Sequence, residues 1–117
     1  MRIPLLEDDP LVSAGLVDVL KELGYEIAGT AATLPDAIAL VSEGEFDCAI
    51  VDRYLLGGIP ADDAMRLLRE RRVPFLLTSG FGASDLDEEF GDAPYLQKPY
   101  GFARLRAAVE KLRPHIE

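Results

Sequence analysis

Acidic side chains and one lysine stand directly after three separate apolar runs of this chain. The acids are Glu7 and Asp8 after the first run and Asp52 after another, and the lysine is Lys98 after the last. Magnesium in proteins is held by one or two carboxylates and takes further ligands from water and phosphate oxygens. A lysine side chain is a compact positive charge that suits a phosphoryl oxygen. These residue types therefore predict a site for a divalent cation and for phosphoryl transfer.

Each of these side chains can be given a role in that chemistry. An aspartate can attack a phosphoryl group and form an acyl phosphate, and Asp52 is the candidate nucleophile. Its charge and that of the incoming phosphoryl group repel each other, so a cation must neutralise both, and Mg²⁺ is the predicted cofactor. Asp8 is the predicted direct metal ligand, with Glu7 nearby and acting through water. Lys98 is predicted to clamp the phosphoryl group.

Four neighbouring side chains have more than one interpretation. A hydroxyl at the end of the fourth strand, Ser79 or Thr78, is predicted to hydrogen-bond to the modified group, although Ser79 could instead cap the following loop. Asp9 is interpreted as a helix cap rather than as a metal ligand, because a proline follows it at the first helical position. Arg53 is either an ion-pair partner or a contact for a docking protein.

A particular set of elements must bring these residues together. Short apolar runs predict strands over residues 3–6, 25–28, 46–51, 75–78 and 95–97. Helices are predicted over 10–23, over 33–42, from Pro60 to the basic residues 69–72, weakly within 83–92, and over 102–112. Such alternation predicts a parallel sheet covered on both faces, with ligands bound outside the carboxyl ends of its strands. Pro4 conflicts with the first strand, because proline lacks the N–H that a sheet ladder uses.

Length and composition limit the possible classes of protein. The 117 residues predict a single domain over 1–117 with no output domain, and the one cysteine, Cys48, predicts a reducing, cytoplasmic location. The formal net charge of −9 argues against nucleic acid and anionic membranes as partners. No run approaches the roughly 18 apolar residues of a membrane span, and the N-terminus is unlike a signal peptide. The absence of a Gly-x-x-x-x-Gly-Lys loop disfavours an NTPase.

The order of these residues resembles the receiver domains of bacterial two-component response regulators, over essentially the whole chain. The segment 6–12 (LEDDPLV) is similar to the family's acidic pocket, and Asp52 falls on its phosphoacceptor. Lys98-Pro99-Tyr100 is similar to its Lys-Pro-aromatic motif, in which the Lys–Pro bond is usually cis. The run 74–82 is similar to a subclass of stand-alone receivers that carry a Phe-Ala-Thr-Gly-Tyr run.

Two further positions match the family's conformational switch. Ser79, five residues after Pro74, falls on its Ser/Thr switch position, with Thr78 as the alternative. Tyr95, three residues before the lysine, falls on its rotating aromatic position. The resemblance implies that Ser79 moves toward the phosphoryl group and that Tyr95 turns inward, which would reshape the face formed by residues 83–92 for a downstream partner protein.

The resemblance also implies a fold and a reaction. The fold is a flavodoxin-like (βα)5 arrangement with strand order 2-1-3-4-5. The reaction is Mg²⁺-dependent phosphoryl transfer to Asp52 from a histidine kinase or a histidine phosphotransfer protein, with the main-chain carbonyl of Tyr54 completing the metal site. Such a domain is not a conventional enzyme but a phosphoacceptor switch, which catalyses only its own phosphorylation and dephosphorylation.

The segment after Asp52 departs from the family pattern. The family usually has Met-Pro where residues 55–58 read Leu-Leu-Gly-Gly, and Tyr54 is bulky where smaller polar residues are common. The Tyr54 ring could shield an acyl phosphate from water. The same departures leave open a pseudo-receiver, which would be a constitutive interaction module that is not phosphorylated. A Mg²⁺-dependent phosphohydrolase is disfavoured, because such enzymes often carry a second acid where Tyr54 stands.

Overall fold

Five parallel strands form the central sheet of the structure, a computed structural model that describes residues 2–80 and 89–112. The strands within these residues are β1 (Arg2–Leu6), β2 (Glu26–Ala31), β3 (Ala49–Asp52), β4 (Tyr54–Leu55), β5 (Ile59–Pro60), β6 (Phe75–Ser79) and β7 (Tyr95–Gln97). The large sheet has the order β2-β1-β3-β6-β7, and β4 pairs separately with β5. Among the strands of the large sheet this order is 2-1-3-4-5, so the predicted flavodoxin-like topology is confirmed.

Helices cover both faces of this sheet. The helices within the described residues are α1 (Pro10–Glu22), α2 (Leu34–Glu43), α3 (Asp62–Glu70) and α4 (Phe102–Leu112). In β1, Ile3 and Leu5 belong to the apolar cluster under α1 and α4, whereas Leu6 belongs to the cluster under α2 and α3. Fully burying one large apolar side chain is worth about 1.5–3 kcal/mol. These two clusters therefore supply most of the stabilisation and hold the strand ends in place.

The helix ends follow local signals in the sequence. Asp9 caps α1, because its Oδ1 accepts a hydrogen bond from the Leu11 N–H at 2.9 Å. Thr33 caps α2 in the same way, since its Oγ1 accepts from the Asp36 N–H at 3.2 Å. Gly24 follows the end of α1 with a φ of 91°, a conformation that carries little steric cost for glycine. The predicted start of α1 at Pro10 is confirmed, and α1 and α2 match their predicted ranges of 10–23 and 33–42 to within one residue at each end.

Two predicted strand ranges were wrong. β2 continues to Ala31 instead of ending at residue 28, because its pairing with β1 extends to Leu6 opposite Ala31. β3 covers Ala49–Asp52 instead of 46–51, because its partner β6 begins at Phe75, opposite Ala49. Asp52 is consequently the last paired residue of β3 and not the first residue after it. Its backbone position is therefore fixed by the pairing with Thr78.

A bulge accommodates Pro4 within β1. The pairing of β1 with β2 shifts from Ile3 opposite Ile27 to Pro4 opposite Gly29. The ladder is therefore interrupted beside the residue that has no N–H to donate, as bulges commonly allow. The conflict seen in the sequence is real, and it is resolved by a local irregularity rather than by the loss of the strand.

Pro60 does not open the third helix, so this prediction was wrong. Pro60 lies in β5 opposite Tyr54, and α3 begins at Asp62. Between β4 and β5 the chain turns through Gly57 and Gly58, with φ values of 83° and 73° that glycine adopts without a Cβ clash. Proline is tolerated in a short edge strand of this kind. The resulting hairpin follows Asp52 almost directly and therefore borders the site.

The weak helix predicted within 83–92 lies mostly outside the described residues. Residues 89–92 are described, and they form turns rather than a helix. Phe90 in this segment is fully buried, which anchors the turns to the core. Of the helices in the two described stretches, none has the length and apolar character needed to cross a bilayer.

Candidate functional site

Side chains from the carboxyl ends of three strands converge at one edge of the sheet. Glu7 follows β1, Asp52 ends β3 and Lys98 follows β7. The Lys98 Nζ donates hydrogen bonds to Glu7 Oε1 at 2.6 Å and to Asp52 Oδ2 at 3.0 Å. Glu7 and Lys98, which are 91 positions apart in the chain, are therefore in direct contact because parallel strands end at a common edge.

This ion-pair group is largely removed from water. The side chains of Glu7 and Asp52 are 2% and 9% exposed, and that of Lys98 is 22% exposed. Taking charges out of water is costly, so a buried ion pair is weak support for a purely stabilising role. A fixed positive charge beside a buried carboxylate does suit a reaction in which more negative charge arrives at that carboxylate.

Three carboxylates face one another beside Lys98. One oxygen from each of Glu7, Asp8 and Asp52 lies within 4.8 Å of the others. Burial raises the pKa of Glu7, and the neighbouring Asp52 carboxylate raises it further, against a smaller lowering by Lys98. One lysine therefore does not balance this group of acids. An all-oxygen donor set with excess negative charge is what Mg²⁺ binds, so these residues fit that ion.

Lys98 keeps its proton in this pocket and is held by its backbone. Burial by itself lowers the pKa of the ammonium group, but the hydrogen bonds to Glu7 and Asp52 raise that pKa by more, and the net shift is upward. The Lys98 N–H donates to the Ser79 carbonyl at 2.7 Å. The Lys98–Pro99 peptide bond is cis, as the resemblance implied. The raised pKa thus favours the charged form of Lys98, and the hydrogen bond of its N–H to Ser79 holds the residue at the site.

Both candidate hydroxyls lie at the end of β6, next to β3. Thr78 is opposite Asp52 in the ladder, and its hydroxyl lies 3.5 Å from the Val51 carbonyl oxygen. Ser79 is one residue further toward the carboxyl end, where its carbonyl accepts the hydrogen bond from Lys98. Each is 1% exposed. The structure brings both residues to the site, and the choice of Ser79 as the switch hydroxyl stays a prediction.

The two tyrosines predicted to act at the site occupy different places. Tyr54 begins β4, and its N–H lies 3.5 Å from Asp52 Oδ1. Tyr95 begins β7 opposite Leu77, where it is half-buried against the cluster under α2 and α3. Tyr54 is therefore adjacent to the candidate nucleophile, whereas Tyr95 lies on the flank of the sheet. The inward turn of Tyr95 stays a prediction.

Two other charged neighbours of the site have structural contacts. Asp9 lies outside the group of three carboxylates and caps α1, so its interpretation as a cap is confirmed. Arg53 is 6% exposed and forms an ion pair with Asp62, the first residue of α3. The ion-pair interpretation of Arg53 is therefore confirmed, and its burial excludes a surface contact for a docking protein.

Two arginines of α3 hold the turn residues 89–92, and sequence reasoning missed this arrangement. Arg66 donates two hydrogen bonds of 2.8 Å to the Glu89 carboxylate, and Arg69 donates to Asp92 Oδ1 at 2.7 Å. The guanidinium carbons of Arg66 and Arg69 lie 5.9 and 5.1 Å from the ring centroid of the buried Phe90. These five residues form the α3 clamp. Its partners are 23 positions apart, so no local spacing could indicate it.

An apolar cleft of about 670 Å³ opens beside Lys98, between α1 and the start of α4. Its walls include Leu16 and Leu105, and its rim includes Leu11 and Phe102, which are 83% and 47% exposed. Tyr100 also lines the cleft, and burial together with the nearby Glu7 charge raises the pKa of its hydroxyl to about 12. The cleft is therefore continuous with the charged site.

A family model described as the response regulator receiver domain matches residues 3–110. The chain belongs to this family. The receiver superimposes on the solution structure of SdrG from Sphingomonas melonis Fr1 with a TM-score of 0.85 and 34% identity, over 97% of this chain and 96% of that one. It superimposes on the PhyR receiver domain of Erythrobacter litoralis with a TM-score of 0.84 and 27% identity, over 96% and 88% of the two chains.

The curated proteins that resemble this chain agree with its assignment to the response regulator receiver family. The receiver is 31% identical to the transcriptional regulatory protein PdtaR of Mycobacterium tuberculosis, over 93% of this chain and 55% of PdtaR. It is 36% identical to the transcriptional regulatory protein TcrA of the same organism, over 92% of this chain and 45% of TcrA. The receiver thus spans about half the length of the curated relatives it matches. Members of the family are generally phosphoacceptor switches rather than conventional enzymes.

Proposed function

We propose that this receiver accepts a phosphoryl group on Asp52 in a Mg²⁺-dependent reaction, and that the donor is a histidine kinase or a histidine phosphotransfer protein. The observation that supports this most is the surroundings of Asp52. Its carboxylate lies 3.0 Å from the Lys98 Nζ and belongs to the same oxygen group as Glu7 and Asp8. A nucleophile, a cation site and a fixed positive charge are thus within reach of one phosphoryl group.

Each residue of the site has a part in this reaction. Mg²⁺, when bound, would neutralise the negative charge shared by Asp52 and the incoming phosphoryl group. Asp8 and Asp52 would hold the ion directly, Glu7 would act through water, and the Tyr54 main-chain carbonyl would complete the site. Lys98 binds a phosphoryl oxygen, and its raised pKa keeps it charged while it does so.

A change at the partner-binding face follows from the same proposal. Phosphorylation adds about −1.5 to −2 charge units and new acceptor oxygens. The Ser79 hydroxyl, with Thr78 as the alternative, moves to one of these oxygens, and Tyr95 turns inward. The two movements reshape the predicted face of residues 83–92, of which 83–88 lie outside the described residues, and bias this two-state surface toward a downstream protein. Cys48 is a buried free thiol, which agrees with a reducing, cytoplasmic location.

The apolar cleft is the proposed binding place of the donor protein. It adjoins Lys98, and the exposed Leu11 and Phe102 stand at its rim. Amphipathic helices lay their apolar face into grooves of this kind. A donor helix seated between α1 and α4 would bring a histidine on that helix to the edge of the sheet where Asp52 lies.

Intact mass after incubation with a small acyl-phosphate donor, with and without Mg²⁺, tests the proposal. We expect one phosphoryl adduct that requires Mg²⁺ and is lost in Asp52→Asn. Asp8→Asn should need far more Mg²⁺ for the same adduct. Asp9→Asn is the matched control, because asparagine also caps helices and Asp9 lies outside the carboxylate group; it should behave as wild type.

The other outcomes separate the alternatives. A stable adduct on Asp52→Asn at the wild-type rate would contradict the assignment of Asp52. No adduct under any condition would favour the pseudo-receiver, and capture of a partner by the unmodified protein would then support it. Repeated turnover of a phosphate ester would instead support the phosphohydrolase.

A further inference from the structure

Arg53 directly follows the proposed phosphoacceptor and is buried at an energetic cost. It is 6% exposed, and its Nε has no hydrogen-bond partner among the residues that the structure describes. Burying a charged group is unfavourable unless the group is paired and fully hydrogen-bonded. The hydrogen bonding of the buried Arg53 guanidinium is therefore incomplete. Its burial is best explained by the neighbouring groups that the side chain holds in position.

The Arg53 side chain connects the hairpin to the start of α3. Its Nη1 forms an ion pair with Asp62, whose side chain is 22% exposed, and its guanidinium carbon lies 5.1 Å from the centroid of the Tyr54 ring. Ala61, at the cap position of α3, makes no side-chain capping hydrogen bond. The Arg53–Asp62 pair therefore ties the beginning of α3 to the end of β3.

The Arg53 main chain is held on both sides. Its N–H donates to the Thr78 carbonyl at 2.8 Å, as part of the last pair between β3 and β6, and its carbonyl accepts from the Ala61 N–H at 3.0 Å. The backbone at residue 53 is thus pinned between the sheet and the start of α3. Tyr54 is the next residue, so its orientation depends on this anchor and on the packing of its ring against the guanidinium.

We propose that Arg53 is a positioning residue: paired with Asp62 and stacked on Tyr54, it holds the Tyr54 main chain in the orientation that completes the Mg²⁺ site. This inference rests on the proposed function, in which the Tyr54 carbonyl is a metal ligand. Arg53 would itself bind neither the metal nor the phosphoryl group, because its guanidinium is held by Asp62 and the Tyr54 ring. Partners behind direct ligands change metal affinity by roughly 10–100-fold when they are substituted.

The direction in which the Arg53→Gln substitution changes the Mg²⁺ affinity distinguishes the positioning role from a simple electrostatic effect. Removing a positive charge beside an acidic site strengthens cation binding if only the long-range field changes. The positioning role predicts the opposite, namely about 10-fold weaker Mg²⁺ binding in Arg53→Gln. Isothermal titration of the unphosphorylated protein with MgCl₂ measures this. Arg53→Lys should restore part of the affinity, because an ammonium can pair with Asp62 but does not stack as a planar guanidinium.

Two aspartates in the first turn of α3 provide a matched pair of variants. Asp62→Asn and Asp63→Asn each remove one negative charge, but the Asp63 side chain is 65% exposed and pairs with Arg66 instead of Arg53. We expect Asp62→Asn to weaken Mg²⁺ binding as much as Arg53→Gln does, and Asp63→Asn to change it less than 2-fold. Asp62 also lies 3.8 Å from Arg66, so the double variant Arg53→Gln/Asp62→Asn should bind no more weakly than the weaker of the two single variants, because both substitutions remove the Arg53–Asp62 contact.

Hydrogen exchange at the Ala61 amide gives a readout that does not depend on the metal. This N–H donates to the Arg53 carbonyl, so it should exchange faster in Arg53→Gln and Asp62→Asn but not in Asp63→Asn. If Arg53→Gln does not fold, Arg53→Lys and Asp62→Asn carry the same test.

Two results would overturn the inference, and a third has a different meaning. Unchanged or tighter Mg²⁺ binding in Arg53→Gln contradicts the positioning role, and so does an equal loss in Asp62→Asn and Asp63→Asn. A wild-type protein that binds no Mg²⁺ contradicts the proposed function, and with it this inference. The two failures are distinguishable because the first leaves wild-type binding intact.

Discussion

Two groups of charged residues in this receiver are arranged in opposite ways. At the carboxyl edge of the sheet, Lys98 faces three carboxylates, and those of Glu7 and Asp52 are almost inaccessible to water. In the α3 clamp, Arg66 and Arg69 face Glu89 and Asp92, with side chains that are 38–79% exposed. The first group is buried and has excess negative charge, whereas the second is exposed and balanced.

The difference indicates what each group can do. Exposed ion pairs contribute about 0–1 kcal/mol each, because water screens them and ordering the side chains costs entropy. The α3 clamp therefore orients the turn residues, and most of its stability should come from Phe90 beneath the arginines. The buried group retains a strong attraction for a cation, and perturbed carboxylates in a cleft are typical of functional sites.

The largest expected effect comes from removing the one cation of the buried group. In Lys98→Met we expect the rate of adduct formation on Asp52 to fall roughly 100–1,000-fold, as when a preorganised charge-stabilising donor is lost. A time course of intact mass with a small acyl-phosphate donor measures this. Lys111→Met, an exposed lysine in the last turn of α4, is the control. A rate within 10-fold of wild type would show that the buried charge is not required.

The next effect separates apolar from ionic stabilisation within the α3 clamp. Phe90 is fully buried and meets Phe75 edge to face, with ring centroids 6.4 Å apart. We expect Phe90→Ala to lower the free energy of unfolding by about 3–5 kcal/mol and Arg69→Gln to lower it by less than about 1 kcal/mol. Urea unfolding measures both. Similar losses in the two variants would mean that the ion pairs contribute as much as the core contact.

The smallest effect is the response of the α3 clamp to acid. Hydrogen bonds from Arg66 lower the pKa of Glu89 below its ordinary value of 4.5, and those from Arg69 lower the pKa of Asp92. A carboxyl with a lowered folded-state pKa stabilises the fold at neutral pH and loses this contribution as the pH falls through that pKa. Glu89→Gln should therefore be slightly less stable than wild type at pH 7 and should equal it at a pH well below the folded-state pKa of Glu89.

Urea midpoints at both pH values measure this last difference. A Glu89→Gln deficit that persists unchanged at low pH would indicate that the clamp acts through packing and not through charge.

Much of the buried site could be predicted because its residues stand at the ends of recognisable elements. Glu7, Asp8, Asp52 and Lys98 each follow or end an apolar run, and parallel strands end at a common edge. The hairpin after Asp52 was not predicted, because Pro60 reads as a helix start until its pairing with Tyr54 is seen. Arg53 was left between two interpretations, because nothing local shows whether an arginine is buried.

The sequence by itself determined the order of the five strands of the large sheet and of the four described helices, most ends of those helices, and the residue types that stand beside the sheet edge. These features depend on hydrogen bonds and apolar spacing within about one turn of helix or one strand. Only the tertiary structure decided that Lys98 binds both Glu7 and Asp52. The same is true of the buried ion pair between Arg53 and Asp62 and of the ion pairs that join α3 to residues 89–92. Such contacts join groups far apart in the chain, and their burial, which sets their strength, exists only once the elements have packed.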